Sequence, residues 1–107
     1  MKPVCVRLKK NGLILVRATF PEQIIRLEGN WYFDPALIDP DTMLTTDRLY
    51  TCVNKGTCNW IDLEDGNLYI PDVAWVYPET YPAYDQIAGW YGFYPETVYY
   101  KTGECEE

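Results

Sequence analysis

Histidine is absent from the 107-residue chain. Without imidazole there is no Ser-His or Cys-His pair, the usual way of activating a nucleophile near neutral pH. Cysteine is scarce: Cys5, Cys52, Cys58 and Cys105 are the only four. No two of them have the two-residue gap of a zinc knuckle, and no metal site is expected. No apolar run reaches the roughly eighteen residues of a membrane-spanning helix. Met1-Lys2-Pro3-Val4-Cys5-Val6-Arg7 brings charge in too early for a secretory signal core, and Lys9 and Lys10 break the next stretch. The expected location is therefore cytoplasmic, where free thiols are the default. Positive charge is also short, nine Lys and Arg against sixteen Asp and Glu, a net charge of −7. That acidic, bacterial-type surface speaks against a phosphate-backbone partner and against an anionic membrane. Nucleic acid and membrane thus drop out as partners and a small molecule remains; the oligomeric state is open. No P-loop, calcium loop or glycine-rich phosphate cradle is present, and no cofactor is expected.

What is there reads as one globular domain spanning residues 1–107, with 48% apolar and 23% charged residues. Val4, Val6 and Leu8 alternate with Cys5, Arg7 and Lys9, the pattern of a half-buried strand. Asn11-Gly12 is a hairpin signal that sets Leu8 opposite Leu15. Further strands are expected over 23–28, 49–53, 57–63, 73–77, 90–94 and 97–101. Asn54-Lys55-Gly56 and Asp65-Gly66 are the turns in the middle of the chain; the second would set Leu63 opposite Leu68. Prolines at 35 and 40 limit the 34–41 segment to a loop with at most one helical turn. Pro82 to Gly89 is the one stretch with helix punctuation, proline near the start and glycine after the end. The fold class expected is mainly β: a compact antiparallel sheet curled into an open barrel or sandwich, with one short helix near 82–88.

Three constellations bear chemistry. Cys52 lies three residues from Lys55 at a turn containing Gly56; a nearby ammonium favours the thiolate, and turn N–H groups favour anions. Aromatic residues concentrate in the second half, thirteen of seventeen between Tyr50 and Tyr100, a composition suited to a pocket wall or an interface. Acidic residues at Asp39, Asp41, Asp72, Glu79, Asp85 and Glu96 lie mostly in expected loops, where solvation and capping are their ordinary roles.

Four segments in order, Glu28-Gly29-Asn30-Trp31-Tyr32-Phe33, Thr51-Cys52-x-x-Lys55-Gly56-Thr57, Asp72-x-Ala74-Trp75-x-Tyr77-Pro78-Glu79 and Ile87-Ala88-Gly89-x-x-x-Phe93-Tyr94-Pro95, resemble the small bacterial family called domain of unknown function 427. The resemblance runs from about Ile24 to Tyr100. It implies a compact antiparallel β fold with one short helix and a nucleotidyltransferase-like label. It singles out Cys52, Lys55, Gly56, Trp75, Tyr77 and Pro78, with Asp72 and Glu79 beside them. The chain departs from the family's Cys-Pro-aromatic-Lys-Gly run, carrying Val53 and Asn54 instead.

The expectation is a small ligand in an aromatic-lined cleft near Cys52 and Lys55, with Gly56, Trp60, Asp72, Trp75, Tyr77 and Glu79 as further candidates. Cys52 would be the reactive or hydrogen-bonding thiol, Lys55 the anion-pairing cation, and Asp72 or Glu79 a proton acceptor. No catalytic residue is assigned. The alternatives are a non-catalytic protein or carbohydrate interaction module and, from the family label, a nucleotidyltransferase.

Overall fold

The computed structural model describes residues 2–103. Nine strands succeed one another: β1 (Lys2–Leu8), β2 (Ile14–Phe20), β3 (Ile24–Leu27), β4 (Asn30–Phe33), β5 (Met43–Cys52), β6 (Gly56–Asp65), β7 (Leu68–Val76), β8 (Tyr91–Phe93) and β9 (Val98–Thr102). They form two antiparallel sheets, one of three strands in the order β2-β1-β9 and one of six in the order β3-β4-β8-β7-β6-β5. Neither closes on itself, so the architecture is an open two-sheet packing and not a barrel.

Both sheets feed a single core. Val4, Val6 and Leu8 of β1 and Val16 and Ala18 of β2 meet Phe33, Ile61, Leu63, Val73 and Phe93 of the larger sheet. The alternation seen in β1 is the cause: period two puts Val4, Val6 and Leu8 on one face. Cys5, on the other face, is buried as well. Cys5 is disulfide-bonded, which corrects the expectation of free thiols at that position; Cys52 and Cys58 are free. Of the chain end expected to fray, Gly103 to Glu107, residues 104–107 lie outside the described residues, and the Gly103 N–H bonds the Pro3 carbonyl.

The turns sit where glycine and its neighbours permit positive φ, with registers shifted from expectation. At Asn11-Gly12 the connection is longer than two residues: the Gly12 N–H bonds the Leu8 carbonyl, and Arg7 pairs with Ile14. In β6–β7 the two-residue turn is Gly66-Asn67, so Leu63 faces Ile70 and not Leu68. That shift moves the pairing by two positions along one strand, which keeps every side chain on its face. Glu28 and Gly29 form the β3–β4 turn with φ of 52° and 81°, both positive as a type I′ hairpin requires.

The expected short helix needs correction. The 82–88 segment is not an α-helix but a 3-10 turn over Pro82–Ile87, broken at Tyr84 (φ −120°, ψ 19°). Its hydrogen bonds run three residues back, from Tyr84 to Tyr81 and from Ala88 to Asp85, and Ile87 is its one buried residue. A single anchor is no apolar stripe, so nothing favours a longer helix. The last two strands belong to different sheets. β8 lies inside the six-stranded sheet, whereas β9 crosses to the other sheet beside β1.

Candidate functional site

The six-stranded sheet has two faces, and the second carries its own small cluster. Tyr32, Cys58, Tyr77 and Ile87 are buried there, with Ile25, Cys52, Trp75, Tyr84 and Trp90 packed against them. Strand register explains the assembly. Tyr32 pairs with Gly92, Gly92 with Trp75, and Trp75 with Trp60, one transverse row across β4, β8, β7 and β6. Gly92 has no side chain to occupy this row, and the Trp75 indole fills the space: a Cβ at residue 92 would lie 2.5 Å from Trp75 Cε2. Trp75 then meets Tyr32 edge-on at 6.2 Å and Trp60 edge-on at 6.0 Å, and Trp60 meets Tyr94 at 5.9 Å.

These rings wall a cleft of about 410 Å³, within the range of small-molecule sites. Cys52, Lys55, Trp60, Trp75 and Tyr77 all line it, joined by Asn30, Tyr32, Tyr50, Cys58, Tyr94 and Pro95. Among the described residues, Lys55 is the one charged side chain of this lining, and it is only 9% exposed.

Three turns meet to hold Lys55. Its backbone belongs to the β5–β6 turn, whose carbonyl accepts the Tyr81 N–H. Its Nζ donates to Glu28 Oε1 at 2.5 Å, from the β3–β4 turn, and lies 5.0 Å from the Tyr84 ring centroid. The Tyr84 hydroxyl donates to the other Glu28 oxygen at 2.7 Å. Hydrogen bonds from Lys55 and Tyr84 hold the Glu28 carboxyl below its ordinary value, and the Glu28 bond holds the Lys55 ammonium above its own. Gly56 follows with φ 123°, and a Cβ there would sit 3.3 Å from the Glu79 carbonyl oxygen. Glycine is needed both for that conformation and for that approach.

The two thiols of the cleft differ. Backbone N–H groups of Asn54 and Lys55 bond the Cys52 sulfur and, with the Lys55 charge, lower its pKa. Burial pushes the Cys58 thiol up. Cys58 pairs across the hairpin with Tyr50, and Cys52 with Gly56. The two cysteines are therefore diagonal neighbours, not opposite one another. Burial likewise raises the Tyr32 and Tyr77 phenols.

The other candidates lie elsewhere. Gly56 and Glu79 line a separate depression with Thr57, Asn59, Pro78, Thr80 and Tyr81. Asp72 belongs to an ion-pair cluster: its Oδ1 accepts from Arg48 at 2.7 Å, and its N–H donates to Asp62 Oδ1 at 3.0 Å. Asp62 is 6% exposed and also accepts from Arg48 and from the Tyr69 hydroxyl. Burial alone would raise the Asp62 carboxyl, but these three donors outweigh it and hold it low. The cluster sits where β5 and β6 both break register, between Thr45 and Leu49 and between Ile61 and Leu63. There the Asp62 carboxylate accepts the Asp72 backbone N–H.

Sequence reasoning passed over Glu28 and Tyr84. Glu28 opens the first of the four segments that carried the resemblance, and that was the available signal. Among the described residues no group of three or more Cys, Asp or Glu is placed to hold a metal ion. None of the described helical segments is long and apolar enough to cross a membrane.

An open two-sheet β domain with an aromatic cleft on the outer face of its larger sheet is the class that fold and site define. Residues 4–104 match the family model labelled NTP_transf_9 and described as Domain of unknown function (DUF427), and the chain belongs to that family. No curated protein matches the chain significantly.

Proposed function

We propose that this domain binds a small ligand in the cleft between Lys55 and the row Tyr32, Trp75 and Trp60. One observation carries the reading: a cavity of about 410 Å³ draws together residues from four strands and from the segments that follow β5, β7 and β8, and walls them with aromatic rings. Aromatic walls with a few placed polar groups are the usual make-up of such sites. A fragment screen read by the indole N–H resonances tests it. Planar fragments are expected to shift Trp60 and Trp75 and to leave Trp31, which stacks on Tyr100 away from the cleft, unmoved. A screen in which no fragment moves Trp60 or Trp75 more than Trp31 overturns the proposal.

A second reading, a protein-interaction module, is favoured by the edge of the same sheet. β5 is an edge strand, and Leu49, Tyr50 and Val53 at its end are 61%, 57% and 85% exposed. Exposed apolar edges are templates for strand pairing. Concentration-dependent association in sedimentation, lost in Leu49→Lys, would favour it over the first reading. The family label is not carried over to this chain. Among the described residues no Asp or Glu lines the cleft, and nucleotidyl transfer relies on carboxylates that position metal and phosphates.

A further inference from the structure

We propose that the ligand of this cleft is a planar aromatic molecule bearing one anionic group, a carboxylate or its like, that meets the Lys55 ammonium. The inference rests on the reading of the cleft as a ligand site and adds the chemical class. Its ground is the placement of charge. The chain as a whole carries a net charge of −7, yet the described residues line the cleft with one cation and no carboxylate. Lys55 is pulled into the wall against that background. Its counter-ion, Glu28, is not among the lining residues, and its side chain is 47% exposed.

An ammonium has three donors. Glu28 takes one, and the Tyr84 ring lies within cation–π reach. The pair therefore stores a cation beside the cleft without leaving it unpaired. A ligand anion replaces Glu28 as the acceptor, and the freed carboxylate turns outward to water while keeping the Tyr84 hydroxyl as donor. Another polar group on the wall suits the same ligand: the Tyr32 hydroxyl lines the cleft and carries a proton to donate. The rings supply edge and face contacts for a flat molecule. Sugars commonly draw on carboxylate and amide acceptors for their hydroxyls, and among the described residues this wall has a single side-chain amide, Asn30.

The test uses a matched pair, indole-3-carboxylate and indole-3-carboxamide, titrated into isotopically labelled protein with the Trp60 and Trp75 indole N–H peaks as readout. The carboxylate is expected to bind about tenfold or more tightly than the amide, the size of one charge-assisted hydrogen bond. Lys55→Met is expected to abolish the preference. Glu28→Gln, which leaves Lys55 in place and removes its competitor, is expected to raise carboxylate affinity several-fold and leave the amide unchanged. Equal affinities, or a preference that survives in Lys55→Met, overturn the inference and leave the ligand-cleft reading standing. If neither probe binds at millimolar concentration the inference falls; the ligand-cleft reading falls with it only if the fragment screen is blank as well. Loss of carboxylate affinity in Glu28→Gln also overturns the inference, because it makes Glu28 a support and not a competitor.

Discussion

Gly92 and the Trp75 indole share one volume: a Cβ on residue 92 would lie 2.5, 2.6 and 2.9 Å from Cε2, Cζ2 and Nε1 of Trp75. The two residues pair across β7 and β8, so the missing side chain of one is the seat of the other. Trp75 cannot swing aside freely, since Tyr32 and Trp60 meet its ring from either side. Gly92→Ala is therefore expected to destabilise the fold by about 1–3 kcal/mol, the usual cost of overpacking. It is also expected to displace the Trp75 indole resonance. Urea unfolding and the indole N–H spectrum check both; an unchanged midpoint with an unmoved Trp75 would show that the row tolerates a methyl.

The thiols are expected to separate in reactivity. Cys52 is partly exposed and its sulfur accepts two backbone N–H groups, whereas Cys58 is buried with its thiol raised. Reactivity follows thiolate fraction and access. Alkylation by iodoacetamide, followed by peptide mass spectrometry, should label Cys52 first, with a rate midpoint below that of an ordinary thiol. Lys55→Met should move that midpoint upward. Equal labelling of both cysteines in the folded protein would contradict the assignment.

The Glu28–Lys55 pair predicts a two-sided pH dependence. Glu28 is lowered in the folded state, so its contribution is present above the ordinary value of 4.5 and is lost as pH falls through the lowered folded value. Lys55 is raised, so its contribution is present below 10.5 and is lost as pH rises through the raised folded value. The difference in Tm between the wild type and Glu28→Gln should be greatest in the neutral plateau and shrink at both ends. A difference constant from acid to alkaline pH would remove the ion pair as its source. High salt should reduce the difference, because the Glu28 side is exposed.

Asp62 is expected to matter more for folding than Asp72, although Asp72 was the candidate drawn from the sequence. Asp62 is buried and accepts from Arg48, Tyr69 and the Asp72 N–H. Asp62→Ala leaves those donors without their acceptor and should cost about 1–3 kcal/mol. Asp72 keeps its backbone N–H after Asp72→Ala and loses only an exposed pairing, though alanine must then take up its positive φ of 54°. Ligand shifts at Trp60 should survive the Asp72 substitution. Loss of the cleft in Asp72→Ala, measured by the same resonances, would tie the cluster to the site.

Much of the fold was legible in the chain. Alternation at Val4, Val6 and Leu8 marked the core face of β1, since period two is a local property. The Asn54-Lys55-Gly56 turn joined β5 and β6 as expected, and Cys52, Lys55, Trp60, Trp75 and Tyr77 share one cavity. Hairpin registers came out shifted, because glycine, asparagine and aspartate are nearly interchangeable at positive φ and only packing chooses among them. The Pro82 to Gly89 segment carried helix punctuation yet formed a kinked 3-10 turn, because one buried residue does not hold a helix. Pairing of β9 with β1 joins the two ends of the described chain, and no local pattern reports that.

For the cleft, the order of residues along the chain was enough to specify the materials: a cysteine, a lysine and a glycine at one turn, and a later stretch dense in tryptophan and tyrosine. Local chemistry suffices for that much, because strand faces and turns follow from neighbours along the chain. Three-dimensional packing made Glu28, twenty-seven residues before Lys55, its counter-ion, and brought Tyr84 in to hold the pair. Packing also set Gly92 where it makes room for Trp75, and left Asp72 and Glu79 outside the cavity wall. Those outcomes depend on the strand order β3-β4-β8-β7-β6-β5, which is set by packing two sheets around one core and not by any single segment.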